Sequence, residues 1–358
     1  IGYLGGSYTA AAAVTGVIGA TFLDRFDRRV ALGTALLGLA LGTLLGGFAQ
    51  GFWSLVCARI VAGAFGGPAT ALALAIVSDV VPPERRGRAL GTVMTAFSVS
   101  SILGVPAGLE IARLFGWRAP FFVVATACVV ITALAITRLP TLRGHLSRAS
   151  RHAGSVRLFD SLSITSLIGT AATMVGVFAV IPNISTFLQH NLGYPREHLG
   201  LLYLVGGTTT FFATRRVGIL VDRFGATRLI IAGTVLFSLS LFFGFIRPVA
   251  VTLVIVIFPL LMLSGSVRGV PMNTLASRVP RPEQRARFMS AQSAVQHLAS
   301  SIGAVSSASL LRAEPDGRLV GMPSVALAAI AIAFLVPFFA WRVECGVKAR
   351  ESACLQAE

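Results

Sequence analysis

Long apolar segments separated by short basic clusters are the feature that most constrains this sequence. Hydrophobic residues make up 55% of its 358 residues and charged residues only 12%, so most of the chain is unsuited to the surface of a water-soluble globule. Each segment has roughly 20 to 28 residues, enough for a helix to cross a hydrocarbon core of about 30 Å. The eleven predicted spans lie near residues 1–22, 31–51, 53–78, 89–112, 118–137, 162–188, 198–220, 227–246, 249–275, 288–311 and 321–341. The sequence therefore predicts an all-α integral membrane protein.

The distribution of positive charge gives the orientation of these spans. The formal net charge is +16, which in a soluble protein would suggest a nucleic-acid partner. The basic residues instead form clusters that follow every second span: 25–29, 85–88, 138–157, 215–228, 278–287 and 342–350. By the positive-inside rule the clustered side is cytoplasmic. We therefore expect a lipid bilayer as partner, no nucleic acid, and a cytoplasmic C-terminus.

Two short motifs recur at nearly the same offset. Leu23–Phe26 returns as Val221–Phe224 after 198 residues, and Pro83–Arg88 returns in altered form as Pro282–Arg287 after 199 residues. A shared offset for two unrelated landmarks predicts two copies of a six-helix unit in parallel topology. At this offset the span at 162–188 has its partner before residue 1. We therefore expect one further helix ahead of this sequence and twelve helices in all.

The repeat also predicts the domain boundaries. The N-terminal half is expected at 1–137, a cytoplasmic linker at 138–160, the C-terminal half at 161–343 and a cytoplasmic tail at 344–358. Outside the spans, no nucleophile–base pair, metal-ligand spacing or phosphate-binding loop is present, and the loops are too short for a catalytic domain. The sequence therefore argues against an enzyme and predicts no metal site and no cofactor.

The second copy of the first motif carries a specific resemblance. It reads Gly-Ile-Leu-Val-Asp-Arg-Phe-Gly over residues 218–225, and this stretch is called the signature loop below. It resembles the loop between the second and third helices of each half in the major facilitator superfamily. The resemblance covers essentially the whole chain and implies the major facilitator fold, with eleven of its twelve helices present.

This resemblance implies a conformational latch at the cytoplasmic ends of the helices. A carboxylate and an arginine there can form charge-assisted hydrogen bonds that hold one transport state. The first copy departs from the family pattern, since Ala20 and Asp27 stand where glycine is usual. The family implies that Arg28 pairs with an acid at the inner end of the fourth family helix, where Asp79 lies. The alternative is that these charges only fix topology. The candidate latch residues are Asp24, Arg25, Arg28, Asp79, Asp222 and Arg223.

Arg59 lies inside the third span, followed by Gly63, and the pair resembles the Arg-x-x-x-Gly pattern of the fourth family helix. An arginine inside hydrocarbon costs at least about 2.5 kcal/mol, so it should face a wet cavity or a partner. The family associates this position with proton transfer. The alternative is that the side chain reaches up to the outer surface.

Gly104, Pro106 and Gly108 lie in the fourth span, and Gly116-Trp117-Arg118 follows it. Proline removes a backbone donor and glycines allow close contact, so a kinked, tightly packed helix is expected. This sequence of glycines, proline and Gly-Trp-Arg resembles the antiporter motif of the family's sugar-efflux and drug:proton antiporter branch. Plain packing of small residues is the alternative.

Polar residues on two spans of the second half are the candidates for a substrate cavity. The helix at 288–311 carries Gln292, Gln296 and Ser300 on one face. His297 lies near mid-depth, where it could bind substrate, relay protons or serve in packing. The candidates on these two helices are Arg268, Asn273, Gln292, Gln296 and His297.

The function expected from this resemblance is secondary transport by alternating access. We expect proton-coupled efflux of a small amphipathic compound or sugar by a monomer in the bacterial inner membrane, with the proton gradient as energy source. No carboxylate lies mid-membrane in the eleven spans, so the sequence assigns no carrier of the coupled proton. The alternatives are an importer or uniporter, and a transport-inactive sensor or degenerate paralogue.

Overall fold

The computed structural model describes residues 2–22, 26–81, 96, 99–142, 160–247, 251–280 and 285–355. Within these ranges the chain is almost entirely helical, and a helix lies at each of the eleven predicted spans. Seven of the described helices are long and apolar enough to cross a membrane. The remaining helices carry more polar residues or include residues outside the described ranges. The predicted all-α membrane fold is therefore confirmed.

Among the described residues, five helices lie before the predicted linker. They are α1 (Gly2–Phe22), α2 (Arg28–Gly47), α3 (Phe52–Val80), α4 (a π-helical turn at Ser100–Gly104 followed by Val105–Phe115) and α5 (Ala119–Arg138). Helix α2 packs on both α3 and α5. Much of the linker, at 143–159, lies outside the described residues.

Six helices follow the linker in the part of the chain that the structure describes. They are α6 (Ser161–Val180, continued by short turns to Asn191), α7 (Leu199–Phe224), α8 (Ala226–Leu241, with a π-helical turn at Phe242–Ile246), α9 (Val254–Arg278, after a 3₁₀ turn at Val251–Leu253), α10 (Arg285–Leu310) and α11 (Met322–Leu355). A short 3₁₀ turn at Arg196–His198 precedes α7. Two strands, β1 (Arg312–Ala313) and β2 (Leu319–Val320), form an antiparallel hairpin between α10 and α11.

Helix α11 continues beyond the predicted end of its span at 341. It remains helical to Leu355, through the segment predicted as a tail. The basic residues after Trp341 mark where a membrane segment becomes polar, but a helix need not end there. The extension brings Glu344 and Arg350 close to the starts of α8 and α6.

The Cα positions divide into two compact units. One comprises Tyr3–Ser100 with Ala107–Val156, and the other comprises Arg157–Glu358 with Ser101–Pro106 and residues 1–2. In the first unit, the core lies between α2 and α3 and includes Leu32 and Leu72. In the second, a larger core lies among α8, α9 and α11 and includes fully buried Ile230.

Polar contacts also join helices inside the second unit. The Asn183 amide donates to the Ser307 hydroxyl at 3.0 Å, so α6 and α10 share a buried hydrogen bond. Asp160 caps the start of α6 by accepting from the backbone N–H of Ser163, and the same carboxylate binds Arg350 of α11. The ends of α6 and α11 are thereby tied together.

Candidate functional site

Arg59 of α3 lies against an aromatic ring of α1. Its guanidinium carbon is 4.6 Å from the centre of the Tyr8 ring, and both side chains are half-buried. A cation over an aromatic face is attracted by the ring, and this attraction strengthens when water is excluded. Tyr8 therefore compensates part of the cost of placing a charge within an apolar segment. The sequence analysis did not identify Tyr8, because a single tyrosine within an apolar span does not indicate a contact with a particular residue.

Glycines of α3 allow this close approach. A Cβ added at Gly63 would overlap the backbone oxygen of Tyr8, and one at Gly66 would overlap the Tyr8 hydroxyl. A Cβ at Gly67 would lie 2.5 Å from the backbone oxygen of Ala12. Small residues at these positions let two helix backbones pack closely in a membrane. The spacing Gly63, Gly66, Gly67 thus fixes the position of Arg59 relative to Tyr8.

Part of the predicted latch in the first half lies outside the described residues. This applies to Asp24 and Arg25. Asp79 lies in the last turn of α3, but its side chain is not among those described, so its pairing with Arg28 stays a prediction. Arg28 is the first residue of α2 and is half-buried.

Asp27, which departs from the family pattern, has a defined structural role. Its Oδ1 accepts from the backbone N–H of Arg29 at 2.9 Å, which caps α2. The same oxygen accepts from the backbone N–H of Leu142 at 3.2 Å, and the Leu142 carbonyl accepts from the backbone N–H of Arg28. The start of α2 is therefore bonded to the chain beyond α5.

The predicted antiporter-motif residues lie on a helix with a change in pitch. A π-helical turn covers Ser100–Gly104, and the α-helix resumes at Val105, one residue before Pro106. A wider turn next to proline is a common local adjustment, because proline cannot donate a backbone hydrogen bond to the preceding turn. Gly108 lies in the regular α-helical part.

The signature loop ends α7 with two exposed charges. Asp222 and Arg223 are both exposed, and within the described part of the chain neither forms an ion pair. The Arg223 guanidinium instead lies 5.3 Å from the centre of the Phe224 ring. Gly225 follows with φ of +86°, a backbone conformation that favours glycine.

Glu344 of α11 occupies the space beside Gly225. A Cβ added at Gly225 would lie 2.9 Å from its Oε1. The Glu344 Oε2 accepts from the backbone N–H and the hydroxyl of Thr227, and Oε1 accepts from Lys348 at 2.9 Å. A carboxylate at a helix N-terminus satisfies a free N–H and interacts favourably with the helix dipole. The sequence analysis missed Glu344, which lies in the segment predicted as a tail.

The polar candidates on α9 and α10 form one hydrogen-bonded group. The side-chain oxygen of Asn273 accepts from the Gln292 amide at 2.9 Å and from the Gln296 amide at 3.3 Å. Gln292 is buried, whereas Asn273 is exposed. His297 is half-buried and forms no hydrogen bond with the described protein groups. The structure therefore brings three of the five candidates together.

Arg268, the fifth candidate, lies apart from that group. Its side chain is fully buried, and the guanidinium carbon is 4.5 Å from the centre of the Phe237 ring of α8. Phe237 was not predicted, since one phenylalanine among several on an apolar helix carries no distinguishing signal.

The family model for the Major Facilitator Superfamily matches this chain over residues 1–304 and again over 166–350. The chain belongs to the major facilitator superfamily, so it is an integral membrane protein of a transporter family. This confirms the resemblance and the fold class inferred from the motifs.

Individual relatives and structures are also similar. The chain is 29% identical to the multidrug resistance protein MdtG of Citrobacter koseri over 229 residues, which is 61% of this chain and 55% of that protein. The values are the same for MdtG of Salmonella paratyphi B. The matched region thus spans about half the length of these relatives. A crystal structure of D-xylose-proton symporter superposes with a TM-score of 0.74 at 16% identity, covering 96% of this chain and 87% of that one, which shows the shared fold.

Proposed function

We propose that this protein is a proton-coupled antiporter that exports small amphipathic compounds. The observation that carries the proposal is the Arg59–Tyr8 contact inside an apolar segment, held by glycines of α3. A membrane-embedded cation with an aromatic partner has no role in folding that an apolar residue could not fill at lower cost. The two relatives named as multidrug resistance proteins support export as the direction of transport.

The Arg59–Tyr8 contact supplies a charge whose environment can change between transport states. A cation over a ring is held more tightly when the site is dry than when water enters. In alternating access, water reaches the protein interior from one side at a time, so the free energy of this contact would differ between the two states. We propose that this difference couples Arg59 to proton movement.

The amphipathic class of substrate follows from the chemistry of the second unit. Asn273, Gln292 and Gln296 offer amide groups, and α9, which carries Asn273, is otherwise mostly apolar. A few polar groups among apolar and aromatic side chains are typical of sites for small organic ligands. We propose that His297, one residue from Gln296, contributes to substrate affinity.

The test is transport by the full chain in proteoliposomes with an imposed pH gradient. A lipophilic fluorescent cation serves as substrate, and export is expected only when the gradient is present. Arg59→Ala is expected to lower gradient-driven export at least about tenfold, whereas Arg196→Ala, an exposed arginine before α7, should leave it unchanged. Uptake independent of the gradient would instead support a uniporter. Binding of the dye without flux would support a transport-inactive protein.

A further inference from the structure

Helix α6 packs mainly on two helices of the second half, α10 and α11. Small residues bring the backbones close at both contacts. A Cβ added at Gly303 of α10 would lie 2.5 Å from the backbone oxygen of Val175 in α6. A Cβ added at Gly176 of α6 would lie 3.4 Å from the backbone oxygen of Ala329 in α11. Since small residues allow membrane helices to pack closely, the faces of α10 and α11 that meet α6 are helix-docking surfaces.

The repeat gives each of these two helices a counterpart in the first half. The offset of 199 residues between Pro83–Arg88 and Pro282–Arg287 aligns α4 with α10, so that Gly108 corresponds to Ser307. Helix α5 corresponds to α11, because each is the last helix of its half. At the same offset, the helix that corresponds to α6 precedes Ile1.

Both counterpart helices are poorly covered in the first half. None of the residues Val105–Phe115 of α4 is buried. Helix α5 packs on α2 and has two buried residues, Ala125 and Thr132. Helix α11 instead buries a stripe of residues along its length, including Val325 and Val336. The two helices that lack burial are thus the counterparts of the two helices on which α6 packs.

A shallow apolar depression lies on the uncovered side of α5. Its volume is about 560 Å³, and the described residues that line it all belong to α5: Phe122, Val123, Thr126, Ala127, Val130 and Ile131. Thr126 and Ala127 are small, and they lie between Val123 and Val130 on one side of the helix. A side of this shape has room for the ridge of a neighbouring helix.

Gly108 of α4 also lacks the close neighbour that its counterpart has. A Cβ added at Gly108 would meet no described atom within 4 Å. Its counterpart Ser307 accepts a hydrogen bond from Asn183 of α6. In a helix, glycine is less favourable than alanine unless another backbone needs the space. The space beside Gly108 therefore indicates a helix that packs there.

We infer that α4 and α5 form the docking surface of a membrane-spanning helix that precedes Ile1 in the same polypeptide. The repeat gives this helix a fixed place directly ahead of α1, which favours it over a helix of a separate chain. It is predicted to have about 20 apolar residues, with small residues on the side that meets α4 and α5. Helix α6 has this character, since Gly169, Thr173 and Gly176 are buried. The inference concerns packing and does not depend on the proposed transport.

The test uses the polypeptide translated from the complete reading frame, in its membrane. A phenylalanine analogue that carries a benzophenone replaces Val123, which lines the depression, or Val124, which does not; their exposed fractions are 50% and 51%. After irradiation and digestion, mass spectrometry is expected to find position 123 attached to a peptide from ahead of Ile1. Its yield should be at least about fivefold above that from position 124, because adjacent residues point in different directions on a helix.

Several outcomes of this experiment would overturn the inference. Attachment to a second copy would indicate a dimer interface, and attachment to lipid alone would indicate a surface that faces the bilayer. Attachment to another part of this chain, or a reading frame without an apolar segment ahead of Ile1, would overturn it as well.

A bulky side chain in the depression gives a second measurement. Val123→Trp is expected to lower the thermal midpoint of the complete polypeptide by at least about 3 °C, because overpacking between helices is destabilising. Val124→Trp adds the same volume outside the depression and should change the midpoint little. Equal midpoints for the two variants would contradict docking at the depression. If Val123→Trp does not insert into the membrane, the cross-linking at positions 123 and 124 decides alone.

Discussion

Glu344 and Thr227, which are separated by more than a hundred residues, share two hydrogen bonds through one oxygen. The Glu344 Oε2 accepts from the Thr227 backbone N–H at 2.9 Å and from its hydroxyl at 2.6 Å. Thr227 is the second residue of α8, separated from the end of the signature loop at Gly225 by Ala226, and Glu344 lies on α11. The start of α8, which follows the loop that the family resemblance associates with conformational change, is thus bonded to α11.

We expect Glu344→Gln to weaken this connection. The amide keeps the shape but loses the charge that interacts with the start of α8 and with Lys348, and such charged hydrogen bonds contribute about 1.5–3 kcal/mol. The thermal midpoint of the purified protein should fall by several degrees. Glu314→Gln, in the exposed hairpin loop, is the matched control and should change it little. Equal midpoints for the two variants would show that Glu344 does not stabilise this region.

Replacing Tyr8 distinguishes its ring from its hydroxyl. Tyr8→Phe keeps the face over Arg59 and is expected to retain at least about half of the gradient-driven export, because the attraction belongs to the ring. Tyr8→Leu removes the ring and should lower export about 5–30-fold, which corresponds to a contact of about 1–2 kcal/mol. Initial rates in proteoliposomes measure both. A Phe variant as impaired as the Leu variant would assign the role to the hydroxyl.

Gly63→Ala is expected to disrupt the contact between α1 and α3. The added Cβ would overlap the Tyr8 backbone oxygen, which cannot move without the helix, and overpacking of this kind costs about 1–3 kcal/mol. Gly16→Ala on α1 is the control, since no described atom lies within 4 Å of its Cβ and alanine favours a helix. Thermal unfolding should separate the two variants. A stable Gly63→Ala protein would indicate that α1 and α3 are further apart.

The Asp160–Arg350 contact predicts a pH dependence of stability. Burial acts to raise the pKa of Asp160, but hydrogen bonds from Ser163 and Arg350 outweigh it and hold the pKa below its usual value. A lowered carboxyl pKa stabilises the folded state above the unfolded-state value of about 3.9, and this contribution is lost as the pH falls through the folded-state pKa. Both side chains are substantially exposed, so the effect should be below about 1 kcal/mol.

Asp160→Asn provides the comparison for this pH dependence. Asparagine still caps a helix, so the variant should fold but lose the part of the acid sensitivity that belongs to Asp160. Thermal midpoints between pH 3 and pH 6 measure this. Parallel curves for the two proteins would show that other carboxyl groups are responsible.

The acidic residue of the signature loop is expected to act in transport more than in folding. Asp222 is exposed, so Asp222→Asn should leave the amount of protein in the membrane unchanged. If its carboxylate holds one transport state, export should fall several-fold. Asp316→Asn, in the hairpin loop between α10 and α11, is the control. Equal loss of protein and of export would contradict the latch role, and Asp24→Asn tests the first copy in the same way.

Features that depend on residues close in sequence could be predicted here. Span positions follow from apolar length, and the repeat follows from Leu23–Phe26 and Val221–Phe224; the structure has a helix at every predicted span. Contacts between distant residues could not be predicted. Arg59 could be identified from the sequence because it is a charged residue in an apolar span. Its partner could not be identified, since any residue of a neighbouring helix was possible. In the structure the partner is Tyr8, because three glycines of α3 let α1 pack closely against α3.

The end of α11 shows a second limit. Basic residues after Trp341 predict the membrane boundary, because charge is costly in hydrocarbon, but they are good helix formers in water. The helix therefore continues, and Glu344 and Arg350 acquire partners that a sequence-based boundary hides. Similarly, the burial of the Arg268 side chain depends on Gly233, because a Cβ at that position would overlap the Arg268 Cγ. A sequence does not show which glycine leaves such space.

The two copies of the repeat achieve the same helix cap by different routes. The backbone N–H groups of Arg29 and Thr227, which are 198 residues apart, each donate to a carboxylate at 2.9 Å. In the first copy the acceptor is Asp27, two residues away, and in the second it is Glu344. The duplicated halves have thus diverged in which residue supplies the bond while keeping the bond itself. An alignment of the two copies pairs Asp27 with Gly225 and would therefore suggest that the second copy has lost the acid. Glu344 supplies that acid instead, so a chain shortened before Glu344 would lack it.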